Sequence, residues 1–203
     1  DYQEYSVNKS VRDLIENRGS LLVAPTGTGK TLMGTFVAFR LKQKSKIERV
    51  FLVTPNPQIS DKWEDEFLKF GIQFQTIPLS TFRTQTNDWK ERLDKLKKSI
   101  NGNDLVIVDE CHHVMNDGSG TNNLRDLLGK PDSRNPLRLF LTATPMSKGL
   151  KDLNNLLGCV STHSEARRYS DVATLSSVTY LTHPLIARHF AKETETGDRF
   201  VDF

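Results

Sequence analysis

The run Ala24-Pro25-Thr26-Gly27-Thr28-Gly29-Lys30-Thr31 carries the residue types that chemistry on a phosphate chain requires. A triphosphate asks for several backbone N–H groups pointing inward, and glycines let the chain curl that tightly. The positive end of a following helix adds attraction for an anion. In such a loop Thr26, Gly27, Thr28 and Gly29 form the cradle, Lys30 reaches the β- and γ-phosphates of ATP, and the Thr31 hydroxyl ligates Mg²⁺. Ala24 stands where the general pattern has its first glycine.

A second cluster lies at Asp109-Glu110, entered directly from Leu105-Val106-Ile107-Val108. Four apolar residues followed by two acids read as a buried strand whose carboxyl end delivers carboxylates into a crevice. Beside a phosphate loop, Asp109 would hold Mg²⁺ and Glu110 would orient and activate the attacking water. Cys111-His112-His113 invites a zinc reading, but zinc needs four ligands converging on one point. Three adjacent residues past a strand cannot all converge, and no second Cys/His pair stands at ligand spacing. No zinc is expected. His112 reads as a polar relay, and Cys111 as a small packing residue.

Positioning these groups takes alternating strands and helices. Strands are expected at residues 20–24, 49–54, 73–78, 104–109 and 137–142, with helices at 31–42, 57–70 and 88–100. Short apolar runs alternating with amphipathic stretches mark βαβ units and a mostly parallel sheet with helices on both faces. In the last helix Trp89, Leu93, Leu96 and Ile100 share one face, leaving Lys90, Arg92, Lys95, Lys97 and Lys98 as a solvated one. The polar stretch 116–123 reads as a glycine-containing loop. Beyond Gly158, stretches 164–169 and 175–190 carry apolar residues at mixed spacing and show no strand; Arg167-Arg168 reads as a solvated pair.

Composition sets the outer bounds. A chain of 203 residues with 36% hydrophobic and 26% charged residues is globular rather than disordered or collagen-like. Its apolar runs reach only about five residues, far short of the ~20 that span a bilayer. No membrane partner is expected. Its 28 basic and 25 acidic residues leave a formal charge of +3, too small to argue for nucleic acid by itself. Two cysteines suit a reducing compartment, and no signal segment opens the chain, so a cytoplasmic or otherwise intracellular location (the nucleus included) is expected. The start at Asp1 and the apolar end at Phe203 suggest a cut inside a longer protein.

Together these residues resemble the first RecA-like domain of a superfamily 2 helicase. The loop at 24–31 is similar to that family's motif I, its alanine included. Asp109-Glu110-Cys111-His112 resembles motif II in the DExH form, and Thr142-Ala143-Thr144-Pro145 resembles motif III. Thr54-Pro55-Asn56-Pro57, followed by Trp63, is similar to motif Ia, which grips the nucleic-acid backbone; Leu79-Ser80-Thr81-Phe82 resembles the next backbone-contacting segment. Asp1-Tyr2-Gln3-Glu4 resembles the element whose glutamine reads adenine. The nearest branch includes type I and III restriction motors, Dicer-like helicases and cytosolic RNA sensors.

The resemblance implies a RecA-like P-loop domain over residues 1–160, with 161–203 an extension or the start of a link to a second RecA-like domain. It implies that the motif III strand lies between the phosphate-loop strand and the motif II strand, with Thr142 and Thr144 sensing the γ-phosphate. It implies backbone contacts to DNA or RNA through Thr54, Pro55, Asn56 and Thr81, and arginine fingers supplied by the second domain. The expected activity is nucleic-acid-dependent ATP hydrolysis coupled to translocation or unwinding, nearly silent in this chain alone. A nucleotide-gated binding module and a P-loop phosphotransferase remain as alternatives.

Overall fold

Each apolar run of the sequence becomes a strand of one sheet in the computed structural model, which describes residues 2–82, 87–115, 118–130, 132–145, 150–160 and 178–180. The chain opens with α1 (Tyr2–Asn17), β1 (Gly19–Val23), α2 (Lys30–Gln43), β2 (Arg49–Thr54), α3 (Pro57–Lys69), β3 (Phe74–Pro78) and a 3-10 turn (Leu79–Phe82). There follow α4 (Asn87–Ser99), β4 (Asp104–Val108), the short α5 (His112–Met115), α6 (Gly118–Leu128), β5 (Leu137–Thr142), α7 (Leu150–Val160) and β6 (Val178–Tyr180). Asp1, Asn116, Asp117, Arg167, Arg168, the stretch 164–169 and all of 175–190 except β6 lie outside the described residues, as does the Trp89 side chain.

The strands run in the order β3-β2-β4-β5-β1-β6, and every described pairing is parallel. This is the expected RecA-like α/β sheet, with β5 between β1 and β4. Successive residues of a strand face opposite sides, so a sheet covered on both faces needs apolar residues at every position. Leu22, Leu52, Ile107, Leu139 and Leu141 meet Val11 and Leu14 of α1, Met33 and Val37 of α2, and Trp63 and Phe67 of α3. Leu21, Phe51, Val53, Val106, Val108 and Phe140 meet Leu93, Leu124, Leu128 and Leu156 on the other side. Among the described residues no helix is long and apolar enough to cross a membrane.

Three features depart from the sequence expectations. α1 gives a weak helical signal because its buried face includes Ser6 and Ser10 beside Val7, Val11 and Leu14. The polar stretch expected to be a loop is helical from Gly118 onward. Its polar groups are used locally: Thr121 donates to the Val114 carbonyl at 3.0 Å and Asn123 to the Phe82 carbonyl at 2.9 Å. Leu124 and Leu128 then anchor the helix in the core, and packing overrides weak propensity. Beyond α7, where no strand was expected, residues 178–180 pair with β1 in parallel register.

Arg138 carries a positive charge into the core. Arg138, 2% exposed on β5, donates to the carbonyls of Leu128 at 3.0 Å, Gly129 at 2.9 Å and Cys159 at 3.4 Å. The guanidinium thereby caps the carboxyl ends of α6 and α7, where a cation is favoured. Burial lowers its pKa to about 10.

Gly34 is required by packing rather than by backbone conformation. A Cβ there would lie 2.4 Å from Cη2 of Trp63 and 3.2 Å from Cδ1 of Leu141. Neither neighbour is a flexible chain end. Gly34→Ala is expected to cost about 1–3 kcal/mol, as over-packing of a filled core does. A thermal unfolding midpoint equal to that of the parent chain would show that the indole can yield.

Candidate nucleotide-binding site

The chemistry-bearing residues gather at the carboxyl ends of β1, β4 and β5, the edge at which open parallel sheets bind ligands. β1 hands the chain to the loop through Ala24, whose N–H still reaches the Thr142 carbonyl at 2.9 Å. The loop then turns on Thr28, whose hydroxyl donates to the Pro25 carbonyl at 2.7 Å. Gly27 and Gly29 have φ of 82° and 86°, a left-handed conformation that side chains resist. Where a Cβ of Gly27 would point, nothing lies within 4 Å, so the cradle is open on that side. Gly29 caps α2 without a side-chain hydrogen bond, leaving the first-turn N–H groups to an incoming anion.

Lys30 is 10% exposed, and its ammonium lies 3.2 Å from the Ala24 carbonyl and 3.7 Å from Oε1 of Glu110. Thr31, in the first turn of α2, is half-buried. At the far side of the loop Gln3 Nε2 donates to the Thr28 carbonyl at 2.9 Å, and the Tyr2 hydroxyl donates to the same oxygen at 3.2 Å. A cleft of about 190 Å³ between α1 and α2 opens beside Gln3, Leu32, Phe36 and Arg40. Thr26 is exposed at the loop's crest.

Asp109 continues the ladder past β4, its N–H reaching the Val53 carbonyl at 3.0 Å. Its carboxylate is 5% exposed as a residue and is held on both oxygens: the Trp63 indole donates to Oδ2 at 2.7 Å and the Glu110 N–H to Oδ1 at 2.8 Å. Glu110 itself has φ of 46°, a conformation few non-glycine residues adopt, and the side chain comes to stand beside Lys30. Cys111 is fully buried in the core and rejoins the sheet through its N–H to the Leu141 carbonyl at 3.0 Å.

His112 joins the acidic pair to the segment after β5. Its Nδ1 lies 3.0 Å from the Thr142 hydroxyl and 3.3 Å from Oε2 of Glu110. The Thr142 hydroxyl, wholly buried, also accepts from the Thr144 N–H at 3.0 Å. Burial, followed by the neighbouring His113, pushes the His112 pKa below its ordinary value, so the ring is neutral at pH 7. Thr144 is thus joined by hydrogen bonds through the Thr142 hydroxyl to the His112 ring, which in turn lies beside Glu110.

The residues expected to touch nucleic acid are placed less uniformly. Asn56 is exposed, but its Oδ1 caps α3 by accepting from the Ile59 N–H at 3.0 Å, leaving only the amide NH₂ for a phosphate. Pro55 and Thr81 are half-buried. Thr54, at the end of β2, is 2% exposed. The Trp63–Asp109 contact was not legible in the sequence, where Trp63 reads as the residue that follows the motif Ia match within the 57–70 helix. Among the described residues no group of three or more His, Cys, Asp or Glu could hold a metal by itself.

Above all, burial raises the pKa of Asp109; the Glu110 charge adds to the shift and the indole N–H opposes it. The folded state thus holds this proton more tightly than the unfolded chain does. Stability then falls as pH rises from the ordinary carboxylate value through the raised one. Asp109→Asn is uncharged throughout but offers one acceptor oxygen where two N–H donors converge, so at pH 7 it should be less stable than the parent by the ~1–3 kcal/mol of an unsatisfied buried donor. The deficit should widen on acidification, because only the parent regains stability as its carboxylate takes up a proton. A thermal midpoint equal to or above the parent's at pH 7 would show that burying the charge costs more than the lost hydrogen bond returns.

A parallel sheet carrying a glycine loop, a lysine and an Asp-Glu pair at its carboxyl edge defines a P-loop ATPase domain of the superfamily 2 helicase type. The family described as type III restriction enzyme, res subunit, matches residues 1–147, and the chain belongs to it. A protein carrying the name helicase 22, from Sulfolobus islandicus filamentous virus, is 30% identical over 79% of this chain and 31% of its own length. A type I restriction enzyme endonuclease subunit from Staphylococcus aureus is 28% identical over 55% of this chain and 14% of its own length. The chain thus spans a third or less of these relatives. The SWI2/SNF2 ATPase core of Sulfolobus solfataricus, solved in complex with double-stranded DNA, shares the fold at 15% identity with a TM-score of 0.60. That match covers 89% of this chain and 43% of the solved one.

Proposed function

We propose that residues 1–160 form the ATP-binding half of a nucleic-acid-dependent motor that couples ATP hydrolysis to movement along, or unwinding of, DNA or RNA. The observation that carries the reading is the approach of Lys30 to Glu110 at 3.7 Å beside a loop left open at Gly27. A phosphotransferase has less use for an acid beside the loop lysine, whereas a hydrolase needs one to activate water.

The residues fit ATP and Mg²⁺. The cradle is open at Gly27, and the oxygens of Thr31 and Asp109 are the hard donors that Mg²⁺ prefers. Mg²⁺ would supply charge neutralisation on the phosphates. Gln3 would face the base from the α1–α2 cleft, and Thr26, Thr28 and the N–H groups of the loop would hold the phosphates. Lys30 would neutralise the β- and γ-phosphates, while Glu110 would take a proton from the attacking water. His112, Thr142 and Thr144 would pass the state of the γ-phosphate onward. Pro55, Asn56 and Thr81 would meet the nucleic-acid backbone without reading its sequence, and such contacts weaken with salt. A second RecA-like domain would complete the motor.

The test is calorimetric titration with ATP·Mg²⁺. Lys30→Ala, at the first residue of α2, removes a charge-assisted contact of ~1.5–3 kcal/mol, about 10–150-fold in affinity. Unchanged affinity in a folded variant would sink the assignment.

A further inference from the structure

Trp63 lies on α3, outside the loop and the acidic pair, yet its indole donates to Oδ2 of Asp109 at 2.7 Å with the ring wholly buried. The other oxygen of that carboxylate accepts from the Glu110 N–H at 2.8 Å. The plane of the carboxylate is therefore set by two donors on different segments. The indole cannot drift: Gly34 of α2 meets its far edge with no room for a Cβ, and the Phe67 ring packs against it with centroids 5.2 Å apart. A phenylalanine would fill a core position of this kind; a buried indole N–H adds a donor that must find a partner. Here the partner is the carboxylate assigned to the metal, and each of its oxygens keeps a further lone pair.

We propose that Trp63 is a positioning residue that aims the Asp109 carboxylate at the Mg²⁺ position, working from α3 and braced against α2 at Gly34. The proposal rests on the nucleotide reading of the site. Partners of this kind, which touch a ligand rather than the metal, change metal affinity by ~10–100-fold when removed. The indole acts on the metal alone, so nucleotide contacts made by the loop are independent of it.

The experiment measures binding of fluorescent ADP to the 203-residue chain, first in EDTA and then through a Mg²⁺ titration, alongside thermal unfolding. Trp63→Phe should leave ADP affinity in EDTA within about twofold of the parent and raise the Mg²⁺ concentration for half-maximal effect about tenfold or more. Replacing Trp63 by benzothienylalanine, which keeps the ring shape and lacks only the N–H, should give the same shift if the Phe variant folds poorly. Asp109→Ala should abolish the Mg²⁺ response. A parental Mg²⁺ midpoint in either folded variant overturns the positioning role while leaving the nucleotide site standing. A parent chain that binds ADP but ignores Mg²⁺ overturns this inference alone, whereas one that binds no ADP with or without Mg²⁺ overturns the nucleotide reading and this inference with it.

Discussion

Residues 1–203 alone are expected to bind ATP·Mg²⁺ yet release phosphate far more slowly than ~1 s⁻¹, the lower end of ordinary enzyme rates. Charge builds on the γ-phosphate in the transition state, and an arginine reaching across the nucleotide is worth ~10³–10⁵-fold in related phosphoryl transfers. Five of the described arginines are bonded elsewhere in the fold. Arg18 donates to the carbonyls of Gly102 and Asn135, Arg49 pairs with Asp104, and Arg138 caps α6 and α7. These three belong to the amino-terminal edge of the sheet, opposite Lys30. Arg125 is bound to the Asn155 carbonyl, and Arg40 to Asn8 and Glu4 on α1. A second RecA-like domain, supplied in cis or in trans, should raise turnover by the stated factor. Steady-state phosphate release, with a Glu110→Gln control for contaminating ATPase, decides the matter. Turnover at 1 s⁻¹ or faster from the chain alone would show that the catalytic arginine already lies within it.

The second large effect is expected at Glu110. In a preparation restored to turnover, Glu110→Gln should lower hydrolysis by ~10²–10⁴-fold, the usual contribution of a positioned general base. Nucleotide affinity should stay within a few-fold, because the swap keeps the size of the side chain and removes only its charge. Oε2 of Glu110 lies 3.3 Å from His112, a contact that an amide can retain. The partner that notices the change is Lys30, 3.7 Å from Oε1, which loses a counter-charge and becomes freer to meet phosphate. Affinity that rises slightly while turnover collapses is the signature of a base. A variant hydrolysing at the parental rate would assign the water-activating role to some other group.

Much of the sheet was legible because its strands are buried on both faces. Residues 49–54 and 137–142 match β2 and β5, and the other sequence boundaries fall within a residue. Continuous apolar runs of strand length leave few alternatives. The phosphate loop and acidic pair were legible for a related reason: their chemistry depends on backbone curl and on adjacent side chains, both local properties. α6 was not legible. Its first turn is built from glycine, serine and threonine, and side-chain bonds to the Val114 and Phe82 carbonyls tie down the residues that follow. β6 depends on pairing with β1, a contact no local pattern announces.

The sequence by itself determined a parallel α/β layer with a glycine loop and an acidic pair at strand ends, because spacing along one chain dictates both. Tertiary structure alone decided how those groups are tuned. Thr54 and Asn56 lie two residues apart in the same motif, yet packing buries one and exposes the other. Trp63 is one apolar position among several on α3 until β2 and β4 bring Asp109 to its N–H. Gly34 is an unremarked helical glycine until the indole occupies the space of its missing Cβ. Hydrogen bonds and close packing act at a few ångströms between segments far apart in the chain, so their partners exist only once the sheet has assembled.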